Sequence, residues 1–407
     1  MHVLFTPFAQ PNSFYGMVPL AWALRAAGHE VRVAAQPLIA GAVTASGLPF
    51  VPVGTGYGRE QQMEEYRRNT RREDLKHAGT LDKFVALDPA EKKRINNEVV
   101  LPTHHRLAEA MAEELVPFAR DWEPDLVVSD PLVIAGTLAA ETVGAPLVRI
   151  LWGPDLLMKM GFPGLGLAPE DWPDYLVALF EQYKAEMRAD PAEFTLDPCP
   201  ESMQSPGIAG RVAFRYIPYN GGPSTVPEWL RRPADRPRVC VSWSTVSAAQ
   251  AGQEAEEFAV PAIIDALAGL DVEPVVTVGA ADRDLLGPVP EGVRVVSEMP
   301  LNLLLPSCDL IIHHGGGGTM LTAAYHGVPQ ITVPKIFDQA FCARQLAGTG
   351  AGVSLEPGEA DRDSMKAAAA SALAGGGQAD AARRLRDEML AQPAPAAMVA
   401  GLEGLRS

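Results

Sequence analysis

Short aliphatic and β-branched runs alternate with longer stretches of helical spacing along most of this chain, and that alternation leaves few folds open. VLF near the N-terminus leads through a loop into 17–27, where Val18, Leu20, Ala21, Leu24 and Ala27 recur at helical spacing. Gly28 marks the helix stop, and VRVAA (31–35) is the next strand. A strand–helix–strand opening of this kind closes as a parallel pair with a right-handed crossover. LVVS (126–129) reads as a buried strand ending at Asp130, residues 137–143 as a helix stopped near Gly144, and PLVRIL as a further strand. A second series starts at RVCVSW, with VEPVVTVG, VRVVS, LIIHH and QITVP as strands. The expected fold class is α/β, with two doubly wound Rossmann-like domains facing a cleft.

The two series are separated by a change of character. Residues 190–237 are rich in proline, which few regular elements survive. The expected division is an N-terminal domain over 1–215, a linker over 216–237 and a C-terminal domain over 238–380. A terminal helical segment over 381–407 is expected to return to the first domain. Residues 59–121 are charged and helical in pattern, the signature of excursion helices with solvated faces.

Charge narrows the partners. Thirty-four Lys and Arg face 50 Asp and Glu across 407 residues, a formal net charge of −16, which argues against nucleic acid. An anionic ligand must then be held by local donors against that field. Cys199, Cys240, Cys308 and Cys342 are scattered without metal spacing and read as reduced thiols. No apolar run reaches the ~18 residues of a membrane span. MHVLFTPF lacks a basic leader and reads as a first strand, so a cytoplasmic protein is expected.

The chemistry concentrates in 309–339, DLIIHHGGGGTMLTAAYHGVPQITVPKIFDQ. A strand runs into four glycines, a helix is expected from near Thr319 to Gly327, and the loop after the next strand carries Asp338 and Gln339. Consecutive glycines let backbone N–H groups approach a ligand, and the helix behind them adds the positive end of its dipole. That is an anion site, most naturally for phosphate, with His314 and Thr319 as side-chain donors. A nicotinamide-dinucleotide fingerprint fails at Met320, although Asp338 lies where a ribose-binding acid would sit. A Walker loop fails for want of Gly-Lys-Ser/Thr, and a purely structural glycine turn remains the bland alternative. His313 and His314 are unsuited to chelating one metal, since neighbours on a strand point to opposite faces.

HHGGGGT, AAYHGVPQ and FDQ in this order resemble the donor-binding motif of GT-B glycosyltransferases of family one. More narrowly, the chain resembles the enzymes that decorate bacterial polyketides with deoxysugars; PLAWALRAAGHEVRVAA, LWGPD, YNGGPSTVPEWL and RVCVSW extend the likeness over nearly its whole length. The resemblance implies that His314, Gly316, Gly317, Gly318 and Thr319 hold the diphosphate of a dTDP-sugar, with Ser244 and Thr245 near the phosphates. It implies Met299 near the base and Asp338 and Gln339 on the sugar. It also implies an acceptor in the first domain and inversion at the anomeric centre. No cofactor or metal is expected, because fixed N–H donors can stabilise the departing diphosphate.

The base departs from the family pattern. Where relatives carry a His after the first strand, this chain has Ser13, a poor base near neutral pH. Asp130, at the carboxyl end of a strand, is the substitute, with a helix-capping role as its alternative. Ser13 could hydrogen-bond the acceptor while Asp130 takes its proton. His104 and His105 are further candidates, for which packing is the simpler role. Phe14, Trp152 and Asp155 are the acceptor-side candidates, each with a packing or turn alternative.

Two other functions compete: a non-hydrolysing nucleotide-sugar epimerase, and a catalytically weak nucleotide-sugar-binding helper. The apolar loops PFAQPNSFYG and MKMGFPGLGLAP favour an acceptor pocket, hence a transferase. The partners expected are small molecules. An activator protein, with the 59–121 excursion as its candidate surface, and a homodimer are both compatible with this reading.

Overall fold

A computed structural model describes residues 1–58, 60–61, 64, 81–207, 210–221, 225–243, 258–297, 299–335, 337–356 and 358–406. The chain divides into two compact units. The first comprises Met1–Pro198, Ser205–Arg215 and Pro393–Ser407; the second comprises Cys199–Gln204 and Tyr216–Gln392. The helix Gly377–Ala391 thus belongs to the second unit, and the chain rejoins the first only from Pro393. There the helix Pro395–Glu403 packs on Val18–Ala26. Residues 216–237, expected as a linker, are counted with the second unit.

In the first unit the strands are β1 (His2–Thr6), β2 (Glu30–Ala35), β3 (Phe50–Pro52), β4 (Leu126–Ser129), β5 (Leu147–Ile150), a small ribbon β6 (Phe162–Pro163) and β7 (Gly166–Leu167), β8 (Ala192–Asp197) and β9 (Arg211–Ala213). The main sheet runs β3-β2-β1-β4-β5-β8-β9, and every pairing in it is parallel. Its central strands read as unbroken apolar runs because helices cover both faces. Val3, Leu4, Phe5, Val127 and Val128 are all fully buried.

β8 and β9 overturn the reading of 190–213 as irregular chain. Pro191, Pro198 and Pro200 flank β8 without entering it, so no ladder N–H is lost. The charged excursion is helical where described, over Leu81–Ala86, Pro89–Ile95 and the long Leu101–Trp122.

In the second unit the strands are β10 (Arg238–Ser242), β11 (Glu273–Val278), β12 (Arg294–Ser297), β13 (Leu310–His313), β14 (Gln330–Thr332) and β15 (Gly352–Ser354). Their order is β12-β11-β10-β13-β14-β15, again parallel throughout. Val239, Val241, Val276, Ile312 and Ile331 pack against the helices Val260–Leu267 and Arg362–Leu373 in one apolar cluster.

Both sheets place two neighbouring strands whose connections leave in opposite directions at their centre. These are β1 beside β4 in the first unit and β10 beside β13 in the second. In open parallel sheets, ligands bind beyond the carboxyl ends of such a pair.

Candidate active site

The carboxyl ends of β1 and β4 carry Ser13 and Asp130. Ser13 lies in a short helix, Pro11–Tyr15, that follows β1 and starts on a proline at its first turn. Asp130 directly follows β4, and its backbone N–H donates to the Thr6 carbonyl at 3.1 Å, which ties it to β1. One carboxylate oxygen, Oδ1, accepts the Leu132 N–H at 2.9 Å; Oδ2 is buried with no hydrogen bond of good geometry. Burial pushes the Asp130 carboxyl up to about 7, against the opposing pull of the Leu132 and Phe8 backbones and the Ser13 hydroxyl. Ser13 and Asp130 are therefore brought together, and the carboxyl titrates where a general base is most effective. A cavity of about 20 Å³ beside Asp130, also lined by Arg149 and Trp172, has room for one water.

His104 stands behind this arrangement. Its ring lies 6.3 Å from that of Phe8 and 5.9 Å from that of Phe162, and it hydrogen-bonds the Leu132 backbone. Burial lowers its pKa to about 4, so its ring is neutral near pH 7 and a weak proton acceptor. His105 packs on Tyr175 with ring centroids 4.8 Å apart, away from Asp130's partners.

The other acceptor-side candidates divide. Phe14 is fully buried and has no surface to offer a ligand, because the short helix turns it into the core. Asp155 is also buried, and Oδ1 accepts the N–H groups of Leu157 and Met158 at 3.1 and 3.3 Å, which makes it the cap of the turn that follows. Trp152 is half-buried.

In the second unit the helix after β13 is Gly317–His326, two residues earlier than expected. Its N-cap is Gly316, which supplies no side-chain cap, so the N–H groups of Gly317, Gly318 and Thr319 lack the partner that a Ser or Asp would provide. The absence of a capping side chain is also why the start was misplaced: glycine gives no start signal. Gly327 closes the helix in the left-handed conformation at φ 69°.

His314 folds back over this end. A Cβ on Gly316 would lie 2.6 Å from its Nε2, so any larger residue there requires the imidazole to shift. Trp243, following β10, meets the His314 ring edge-on at 5.8 Å. Trp243 lies in the RVCVSW stretch, but nothing in a lone Trp after a strand signals which ring it supports. Burial lowers the His314 pKa to about 4, against the opposing Ser242 backbone, and Nδ1 makes no hydrogen bond of good geometry.

Asp338 and Gln339 open the helix Phe337–Gly348. Burial raises the Asp338 pKa, while its own backbone N–H and that of Gln339 oppose the shift. Gln339 Oε1 accepts the Lys335 N–H at 3.0 Å, which leaves its amide NH₂ as the group to offer a ligand. Met299, soon after β12, is partly buried against the cluster of Leu304, Leu305 and Ile311. Ser244 and Thr245 lie outside the described residues. Among the described residues no three His, Cys, Asp or Glu side chains converge as a metal site, and no helix is long and apolar enough to cross a membrane.

Comparison with known proteins joins the two halves. Residues 22–244 match the model of the erythromycin biosynthesis protein CIII-like N-terminal domain, and residues 261–405 match that of its C-terminal domain. The chain is 37% identical to a 10-deoxymethynolide desosaminyltransferase of Streptomyces venezuelae, covering 100% of this chain and 97% of that one. It is likewise 37% identical to a tylactone mycaminosyltransferase of Streptomyces fradiae, over 100% and 92%. The solved structure of the glycosyltransferase VinC in complex with dTDP aligns with a TM-score of 0.78 at 32% identity, over 100% of this chain and 99% of that one. With both units matched along nearly their full length, the chain belongs to the erythromycin biosynthesis protein CIII-like family of glycosyltransferases.

Proposed function

We propose that the protein moves a deoxysugar from a dTDP-sugar to a polyketide-like or other hydrophobic acceptor, with inversion at the anomeric carbon. The observation that carries this reading is the uncapped glycine N-terminus of Gly317–His326 with His314 folded over it. In a chain of net charge −16, such a cluster of unclaimed donors is the local receptor that an anion needs. The substrates for which the relatives are named, 10-deoxymethynolide and tylactone, support the acceptor class.

The chemistry follows from these residues. The acceptor nucleophile attacks the anomeric carbon, the bond to the diphosphate oxygen breaks, and dTDP departs. Charge grows on the leaving oxygens, where N–H groups of 317–319 and His314 stabilise it more in the transition state than before. The proton lost by the acceptor passes to Asp130, whose pKa of about 7 suits it to accept one near neutral pH. Ser13 donates to the Asp130 carboxylate and orients it. Asp338 and the Gln339 amide meet the sugar, Met299 lies at the base, and Trp152 faces the acceptor. Because the diphosphate charge is met by protein donors, the reading calls for no metal.

Incubation with a dTDP-deoxysugar, with and without a macrolide aglycone, tests this reading. A glycoside formed only with the aglycone is the expected product. Epimerised donor, or binding without turnover, would instead establish one of the two competing functions.

A further inference from the structure

His313, which the proposed chemistry does not use, is hydrogen-bonded at both ring nitrogens beside the glycine loop. It ends β13 and is fully buried. Its Nδ1 accepts the Gly315 N–H at 3.1 Å, and its Nε2 lies 2.9 Å from Gln330 Oε1. Gln330 is itself fully buried on β14, and its amide NH₂ donates to the Met320 carbonyl at 3.2 Å. With that NH₂ spent on Met320, Oε1 must accept, so the proton of His313 sits on Nε2 and Nδ1 is left as a lone pair. The two ends of the imidazole thus demand the same tautomer. The ring stays neutral, since burial first and His314 second hold its pKa to about 3.

Gly315 is the link onward. It has φ +90°, a conformation that favours glycine, and a Cβ there would lie 3.1 Å from the Gln339 carbonyl oxygen. The residue whose N–H is held by His313 therefore rests against the backbone of the helix start that bears Asp338 and Gln339. One step further along the chain is Gly316, the N-cap of the proposed anion site.

We infer that His313 is a positioning residue for donor binding: its Nδ1 lone pair pins Gly315, and through Gly315 it registers the uncapped helix N-terminus against the helix start that bears Asp338 and Gln339. His313 touches no donor atom. Without an acceptor at Nδ1, the Gly315 N–H is buried and unpaired, and the loop turns to seek another partner. This inference rests on the donor-site reading above.

The test compares His313→Asn with His313→Leu. Asn places its Oδ1 where Nδ1 was and keeps the Gly315 bond, while both variants lose the Gln330 bond. Calorimetric titration with thymidine diphosphate is expected to show His313→Asn within about threefold of wild type. His313→Leu is expected to be weaker by roughly tenfold or more, the size of one buried unpaired donor. Donor KM is expected to follow the same split while acceptor KM stays level. Equal affinities for the two variants overturn the inference. Should neither fold, ¹⁵N-histidine spectra of the wild type decide: a neutral ring protonated on Nε2, unchanged from pH 5 to 8, is expected, and any other tautomer or an imidazolium overturns it. A wild type that binds no thymidine diphosphate overturns the donor-site reading itself, a result separate from either outcome.

Discussion

The two sheets share a strand order about their central pair, and yet they arm that place in opposite ways. Beyond β1 and β4 sits a buried carboxyl raised to about 7, with one oxygen short of a good hydrogen bond. Beyond β10 and β13 sit neutral imidazoles and a helix start without a cap. In the proposed chemistry the first accepts a proton and the second receives an anion. Topology fixes where a ligand can lie, and the few residues just past the strand ends decide what chemistry occurs there.

Asp130→Asn cuts most deeply into that contrast. It keeps the Leu132 turn but removes the base, so kcat should fall by about 10²–10⁴-fold. Thymidine diphosphate affinity should be unchanged, which steady-state kinetics and calorimetry on one preparation would show. His314→Ala should do the reverse. Losing one donor to a charged oxygen costs about 1.5–3 kcal/mol, or roughly tenfold to a hundredfold in dTDP affinity. Activity as a function of pH refines the first half. Because the carboxylate is the active form, kcat should rise with pH through about 7 and level off above it. Ser13→Ala removes a group that favours the carboxylate, so the midpoint should move to higher pH by a fraction of a unit. The smallest expected effect is none: dialysis against EDTA should leave turnover intact, and a loss restored by a divalent cation would revise the diphosphate chemistry.

Much of this was legible beforehand, for physical reasons. LVVS, RVCVSW and LIIHH are continuous apolar runs because both faces of β4, β10 and β13 are covered, and such runs are hard to mistake. The tetraglycine could be placed between a strand and a helix because an apolar run stops before it and a helical pattern follows it. Shorter elements escaped. β3, β9 and β15 have three residues each and include exposed or half-exposed positions, whereas the equally short β14 is wholly buried and reads as an apolar run with its neighbours. β8 was hidden by prolines that bound it rather than break it. At the site, Ser13 and Asp130 could be expected near one another from their places after β1 and β4, but that Phe14 is buried depends on how a five-residue helix seats. That Asp155 caps a turn depends on two backbone N–H groups that no side-chain pattern reveals. The hydrogen bonds of His313 were invisible for the same reason: its partners, Gly315 and Gln330, are set by β13 lying beside β14.

The division of labour between the two strand pairs is tested most directly by titrating thymidine diphosphate into wild type, Asp130→Asn and His314→Ala while measuring turnover of each. The expected result is a crossed pattern: full affinity with little turnover for Asp130→Asn, and weakened affinity for His314→Ala. If Asp130→Asn loses affinity together with turnover, or His314→Ala binds as tightly as wild type, the assignment of base to one sheet and diphosphate to the other is contradicted.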